Sequence, residues 1–386
     1  MQENSLIKND FPENGPVDDD LLVYLSIPFV IDDAPDWPQA QCKGDRLARM
    51  AYLDALQVET ESAAGDFGDR RVRAVRIGGP SPSIMDPDRI GKLLLAVRRT
   101  YTVDPRAEVS IKATPLTVGT PTLTGWAYGN PTRIDLQVDS LKTTELEAIG
   151  RPWARNDVQN AILFLDKFHV NNVGLSLLYD LPGQTEISWK QTLRDALDLE
   201  PTHVSIRPYR IAGAQAADDP ERRERQGAYY DMACAHLAEG GFDRYAVGAF
   251  ARTNHRDVYR SLMAEGLGVV GLGLGAWSHF DGYAYANTQD FDAYLASKGD
   301  PSGLIVDPCA LTAEAEAALA LRSRLYLREG VDIADLAAKH GDEAAASAKQ
   351  VLDAWKQEGL VQEQAGRMAL TVAGEHAWTR GPLPLP

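Results

Sequence analysis

Between residues 21 and 239, short β-branched and apolar runs alternate with amphipathic stretches of helix length, and no other feature constrains the fold as strongly. Strand-length runs separated by helix-length spacers specify parallel βα units, because antiparallel neighbours need only a tight turn between them. Residues 21–27, 72–77, 108–113, 133–138, 173–178 and 203–207 are the expected strands. Residues 45–62, 87–101, 143–149, 155–168, 186–199 and 220–239 are the expected helices. Asp86-Pro87 supports one start, with a capping side chain placed before a proline at the first helical position. Six units in series predict an α/β fold, a curved partial (β/α)6 barrel with function at the C-terminal ends of the strands.

After Tyr209 the repeat fades into residues 212–219, a loop of small and acidic residues. Residues 241–251 and 267–278 are rich in glycine and read as a second, irregular layer. Past Pro301 the composition shifts. Residues 311–357 are rich in Ala, Glu, Leu, Lys and Arg with helical periodicity, and 359–361 and 368–371 read as short strands around a turn at 364–366. Helices followed by a hairpin suggest a winged-helix-like extension. The expected organisation is an acidic, disordered leader (1–20), a barrel with a glycine-rich accessory layer (21–300), a C-terminal helical or winged-helix-like domain (301–380) and a tail (381–386).

Charge excludes some partners. Against 39 Lys and Arg stand 55 Asp and Glu, a net charge of −16 that repels phosphate backbones and anionic lipid. Neither nucleic acid nor a membrane is expected as a partner, and the C-terminal segment, lacking a basic stripe, reads as a structural lid. Nothing reaches the ~18 apolar residues of a membrane span, and no secretory signal is seen, so a cytoplasmic location is expected. Cys42, Cys234 and Cys309 are far apart and form no metal-ligand spacing. Nucleophile elbow, P-loop and zincin motifs are absent from the sequence.

Several ordered segments carry a more specific signal. They are Tyr24-Leu25-Ser26-Ile27-Pro28-Phe29-Val30, Ile77-Gly78-Gly79-Pro80-Ser81-Pro82-Ser83, Arg133-Ile134-Asp135-Leu136-Gln137-Val138-Asp139-Ser140, Gly150-Arg151-Pro152-Trp153, Leu177-Leu178-Tyr179-Asp180-Leu181-Pro182-Gly183-Gln184-Thr185 and Gly271-Leu272-Gly273-Leu274-Gly275-Ala276-Trp277-Ser278. In this order they resemble motifs of the oxygen-independent coproporphyrinogen III oxidase and heme chaperone family, which are radical S-adenosylmethionine (SAM) proteins. The resemblance spans roughly residues 24–294, with a weaker tail to 374. It implies a partial barrel whose C-x3-C-x2-C motif holds a four-iron four-sulfur cluster. At the three cysteine positions this chain has Val30, Ala34 and Trp37. Hydrocarbon and indole cannot replace thiolates as iron ligands, so an iron–sulfur cluster and the family's radical oxidoreductase activity are not expected.

By the same resemblance Tyr24, Gly78, Gly79 and Arg151 match SAM contacts and form a vestigial SAM site. Lys112, Asp139 and Ser176 replace a glutamate, a glutamine and an aspartate. An ammonium in place of an acid repels a sulfonium, and a Lys112–Asp139 pair filling the vacated cavity is expected. Trp153 and Trp277 stand where the family has histidines; core filling is the leading expectation for both, with stacking on a flat ligand as the alternative. Asn254-His255-Arg256-Asp257-Val258-Tyr259-Arg260 resembles the family's heme-binding H-N-x-x-Y-W stretch, with His255 and Tyr259 kept. Two readings stay open there, heme ligation by His255 and an exposed charged loop. The leading functional expectation is a cluster-less pseudoenzyme that binds or helps deliver a tetrapyrrole, heme or a porphyrin. The alternatives are coproporphyrinogen III oxidase-like activity, cluster-independent catalysis on a flat conjugated substrate by Lys112, Asp139, Tyr179 and Asp180, and a non-catalytic role beside an intact family member. A heme-receiving protein is a further expected partner.

Overall fold

The computed structural model describes residues 19–31, 44–210 and 219–381 of the 386-residue chain. All six expected strands form: β1 (Asp20–Ser26), β2 (Arg71–Gly78), β3 (Thr102–Ala113), β4 (Arg133–Asp139), β5 (Val173–Tyr179) and β6 (His203–Pro208). Between and after them lie α1 (Arg46–Phe67), α2 (Pro87–Thr100), α3 (Thr120–Ala127), α4 (Thr143–Ala148), α5 (Arg155–Lys167), α6 (Glu186–Leu197) and α7 (Pro220–Glu239). Asp45 and Asp86 cap α1 and α2 by accepting the backbone N–H three residues on. Helix α3 is absent from the sequence-based expectation because threonines and a glycine within eight residues hide any helical period.

Strands β1 to β6 pair in sequential, parallel order. The glycine-rich segments then depart from expectation. They supply β7 (Asp243–Ala246), β8 (Ala249–Ala251), α8 (Val258–Ala264), β9 (Gly268–Leu272), β10 (Trp277–Phe280), β11 (Tyr283–Asn287), α9 (Phe291–Ser297) and β12 (Ile305–Ala310). Instead of forming a second layer, these strands extend both edges of the barrel sheet, in the order β12-β11-β10-β9-β1-β2-β3-β4-β5-β6-β8-β7. Strand β9 runs parallel to β1, and β8 runs antiparallel to β6. An open sheet leaves rows of backbone N–H and C=O groups at its edges, and short strands cover them whatever their side-chain pattern.

Alternation along the strands divides core from lumen. On β4, Ile134, Leu136 and Val138 are buried in the main hydrophobic core, whereas Asp135 and Gln137 line the barrel cavity. The C-terminal region comprises α10 (Ala313–Tyr326), α11 (Ile333–His340), α12 (Asp342–Gln357), the antiparallel hairpin β13 (Val361–Gln364) and β14 (Arg367–Leu370), and α13 (Val372–Arg380). Leu321, Leu325, Leu336, Leu352 and Trp355 form a hydrophobic cluster of their own there. Helix α13 reaches back onto α7 and β6.

The expected leader ends too late. Asp20 already belongs to β1, where Arg71 and Arg73 hold it at 2.7 and 2.6 Å. The rest of that leader up to residue 18, most of the 212–219 loop, and the tail from 382 lie outside the described residues. Among the described residues, no helix is long and apolar enough to cross a membrane.

Candidate functional site

The barrel encloses a polar lumen. Its cavity, about 250 Å³, is lined by Arg76, Lys112, Asp135, Gln137, Ser176 and His203 among others. Period-2 alternation puts these side chains inside: 108, 110 and 112 on β3, 133, 135 and 137 on β4, and 203, 205 and 207 on β6 are same-face positions. Tyr326 of α10 and Trp378 and Thr379 of α13 close the cavity, so the C-terminal region contributes to its wall.

An ion-pair network fills one end. The Arg76 guanidinium donates to Asp257 at 2.7 Å and to Asp135 at 3.0 Å. Arg133 lies fully buried, 2.9 Å from Asp135 and 3.9 Å from Glu108, and donates to the backbone oxygen of His255 at 3.3 Å. Burial alone would raise the Asp257 carboxyl, but Arg76 and Arg133 hold it well below the ordinary range. Glu108 goes the other way, pushed up to about 7 by burial and the neighbouring Asp257 charge. Burial also drops His203 to about 3, so its imidazole stays neutral against the Tyr245 hydroxyl at 2.9 Å. Apart from His255, none of these residues is a candidate site residue in the sequence; the signal that could have revealed them is the polar–apolar alternation of R-I-D-L-Q-V-D on β4.

Residues with the SAM-site resemblance gather at the C-terminal ends of β1, β2 and β4, but much of their space is used by the protein itself. A Cβ on Gly78 would sit 2.5 Å from the Tyr24 ring. Gly79 has φ +122°, and a Cβ there would lie 1.9 Å from the Ile27 carbonyl oxygen. Both glycines are therefore required by close chain approach, whether or not a ligand is bound. Gly79→Ala is expected to cost at least about 2 kcal/mol, read as a lowered midpoint of urea unfolding; an unchanged midpoint refutes the packing argument. Arg151 is tied to Asp139 at 2.6 Å and lies over the Trp153 ring at 5.5 Å.

The expected Lys112–Asp139 pair does not form. Asp139 accepts from Arg151 and, at 3.0 Å, from Gln137, while Lys112 Nζ donates to the Gly79 carbonyl at 3.2 Å. A guanidinium with two neighbouring donors outcompetes a single flexible ammonium for one carboxylate. The other Asp139 oxygen, Oδ1, is buried without a hydrogen-bond partner among the described residues. Asp139 and Asp180 both adopt φ near +62° at strand ends, a conformation aspartate tolerates. Asp180 is clasped by Arg222, Arg225 and Gln226 at 2.6–2.8 Å, which ties β5 to α7. Tyr179 is fully buried, and burial pushes its phenol above the usual range. Of the four candidate acid–base groups, Lys112 lines the lumen, whereas Asp139 and Asp180 are each held in a separate ion pair.

Of the expected cluster positions, Val30 follows β1 and offers only hydrocarbon; Ala34 and Trp37, like Cys42, lie outside the described residues. Cys234 is half-buried, its thiol raised to about 11 by burial, and Cys309 is exposed. His255 is partly exposed in the turn before α8. Tyr259 is buried on α8, 6.3 Å from the Tyr24 ring and beneath the Arg76 guanidinium. Arg256 and Arg260 already pair with Glu329 and Asp257. Trp153 is buried and donates to the Val138 oxygen at 3.1 Å, as core filling requires. Trp277 does not fill the core. It is 45% exposed and stacks on His279, because 277 and 279 share the outer face of β10 while Ser278 and Phe280 point inward.

A parallel barrel sheet, a polar lumen and C-terminal helices closing it define an α/β protein with the radical SAM fold. Residues 311–374 match the HemN C-terminal domain. Heme chaperone HemW of Synechocystis sp. is 28% identical over 251 residues, covering 63% of this chain and 60% of that protein. Oxygen-independent coproporphyrinogen III oxidase of Bradyrhizobium diazoefficiens is 26% identical over 377 residues, 90% of this chain and 82% of that one. The solved structure of coproporphyrinogen III oxidase (HemN) from Escherichia coli superposes with a TM-score of 0.79 at 18% identity, covering 93% of this chain and 88% of that one. The chain is thus similar to HemN and HemW proteins over most of its length and shares the HemN fold.

Proposed function

We propose that this protein binds or helps deliver a tetrapyrrole without performing radical chemistry. The carrying observation is the chemistry around the glycine loop. Val30 stands where the family motif needs its first thiolate, and the Lys112 ammonium rests on the Gly79 carbonyl. A fixed cation there opposes a sulfonium ligand, and a hydrocarbon cannot hold iron. The names of the relatives, a heme chaperone and a coproporphyrinogen oxidase, support the tetrapyrrole class.

Anaerobic reconstitution with iron and sulfide, followed by metal analysis and incubation with SAM and dithionite, tests the negative half. Neither stoichiometric iron nor 5′-deoxyadenosine is expected, and finding both overturns it. Titration with hemin tests the positive half. A saturable Soret shift is expected, and a spectrum equal to free hemin counts against the reading.

A further inference from the structure

A second cavity, about 540 Å³, lies on the opposite side of β10 from the core, between the barrel and helices α10 and α11. That volume is typical of small-molecule sites. One wall is the Trp277–His279 stack, with ring centroids 5.4 Å apart and planes within 17°. His279 Nε2 lies 2.9 Å from Glu316 of α10, which fixes the stack from the far wall. Exposed Met263 adds a polarisable apolar contact. The opposite end carries guanidiniums interspersed with Glu265, Asp332 and Asp335. Arg324 and Arg367 line both this cleft and an adjoining cavity that also includes Arg256.

Charge in the cleft is unevenly committed. Asp20 is held by Arg71 and Arg73, Asp281 by Arg70, and Glu316 faces His279. Arg324 and Lys339 make no ion pair among the described residues, whereas Arg367 lies 3.8 Å from exposed Asp335 and donates to the Gly330 carbonyl at 3.3 Å, with its Nε buried without a hydrogen-bond partner. His340, also on the cleft wall, has Nε2 buried and unpartnered. Burial lowers its basicity, which favours the neutral ring. Exposed indole stacking beside the unpaired Arg324 guanidinium, with Arg367 held only at 3.8 Å by an exposed carboxylate, suits a ligand with a flat apolar face and peripheral carboxylates.

We infer that this cleft, rather than the His255 turn, is the tetrapyrrole site, with the macrocycle against Trp277 and its carboxylates at Arg324 and Arg367. The inference rests on the tetrapyrrole reading above and locates it. Nothing in the cleft overlaps the barrel lumen, so occupancy leaves the Arg76–Asp257 network intact.

The test is titration of the full chain with hemin and, separately, metal-free protoporphyrin IX, followed by Soret absorbance and tryptophan quenching. Trp277→Ala and Arg324→Glu are each expected to weaken both ligands about tenfold or more, while Trp277→Phe, which keeps a ring, retains most of the affinity. Because Trp277 is exposed and Arg324 is unpaired, thermal midpoints of these variants should match wild type, separating lost binding from lost folding. Undiminished affinity in Trp277→Ala and Arg324→Glu, with loss only in His255→Ala, overturns this site and leaves the tetrapyrrole reading standing. Failure of the wild-type chain to bind either porphyrin overturns both.

Discussion

Replacing Asp257 with alanine is expected to cost about 3–5 kcal/mol of stability. The side chain caps α8 through the Arg260 N–H at 2.9 Å, pairs with Arg76 at 2.7 Å and lies 3.4 Å from the Arg260 guanidinium. Loss of the cap alone is worth about 1 kcal/mol. The larger part comes from Arg76, a buried cation that would keep only Asp135 as a close partner. Removing one member of a buried pair leaves the other charge uncompensated, and that penalty exceeds what the intact pair contributes. Urea unfolding measures the difference; a loss below about 1 kcal/mol would mean that water enters the lumen and screens Arg76. The pH dependence has a definite sign. Asp257 titrates far lower when folded than when unfolded, so its stabilisation is complete above the ordinary carboxylate pKa and is lost as pH falls through the folded value. Asp257→Asn should therefore flatten the acid limb of the stability curve.

Glu59 is expected to produce the opposite trend, roughly 3 kcal/mol of stability lost between pH 4.5 and 7. This α1 carboxylate is buried between the barrel and the added strands. It accepts from Tyr294 at 2.5 Å, Asn287 at 2.6 Å and the Gly273 N–H at 3.0 Å. Burial pushes it up to about 7, against those hydrogen bonds, which pull it down. The folded chain therefore holds a proton that the unfolded chain has released across this window, and stability falls as pH rises. Glu108, also raised to about 7, adds a trend of the same sign. Glu59→Gln should remove about one proton's worth of slope between pH 5 and 7 and leave the Glu108 share. A variant with the wild-type slope would show that Glu59 is ionised in the folded protein throughout.

Both carboxylates escaped sequence reading, for different reasons. Glu59 sits in V-E-T-E-S, indistinguishable from the solvated face of a helix, and its three partners come from residues more than 200 positions away. Asp257 belongs to a charged stretch whose local pattern equally suits an exposed loop, and only α8 packing against β1 and β2 buries it. The expected Lys112–Asp139 pair illustrates the same limit: both residues were legible, but Arg151, twelve positions past Asp139, takes the carboxylate. Trp277 was readable as a bulky replacement, whereas its exposure depends on the face of β10 that the added sheet edge turns outward.

Local chemistry decided what recurs along the chain. Apolar runs, caps such as Asp86 and the period-2 polarity of β4 determined six parallel strands, their helices and a polar lumen, because each signal is contained within a few consecutive residues. Tertiary structure decided the partners. Which carboxylate meets Arg76, which guanidinium claims Asp139 and where a cleft opens beside Trp277 depend on contacts between segments far apart in sequence. Strength and direction of such charge interactions follow from burial and distance, and neither quantity exists until the chain has closed.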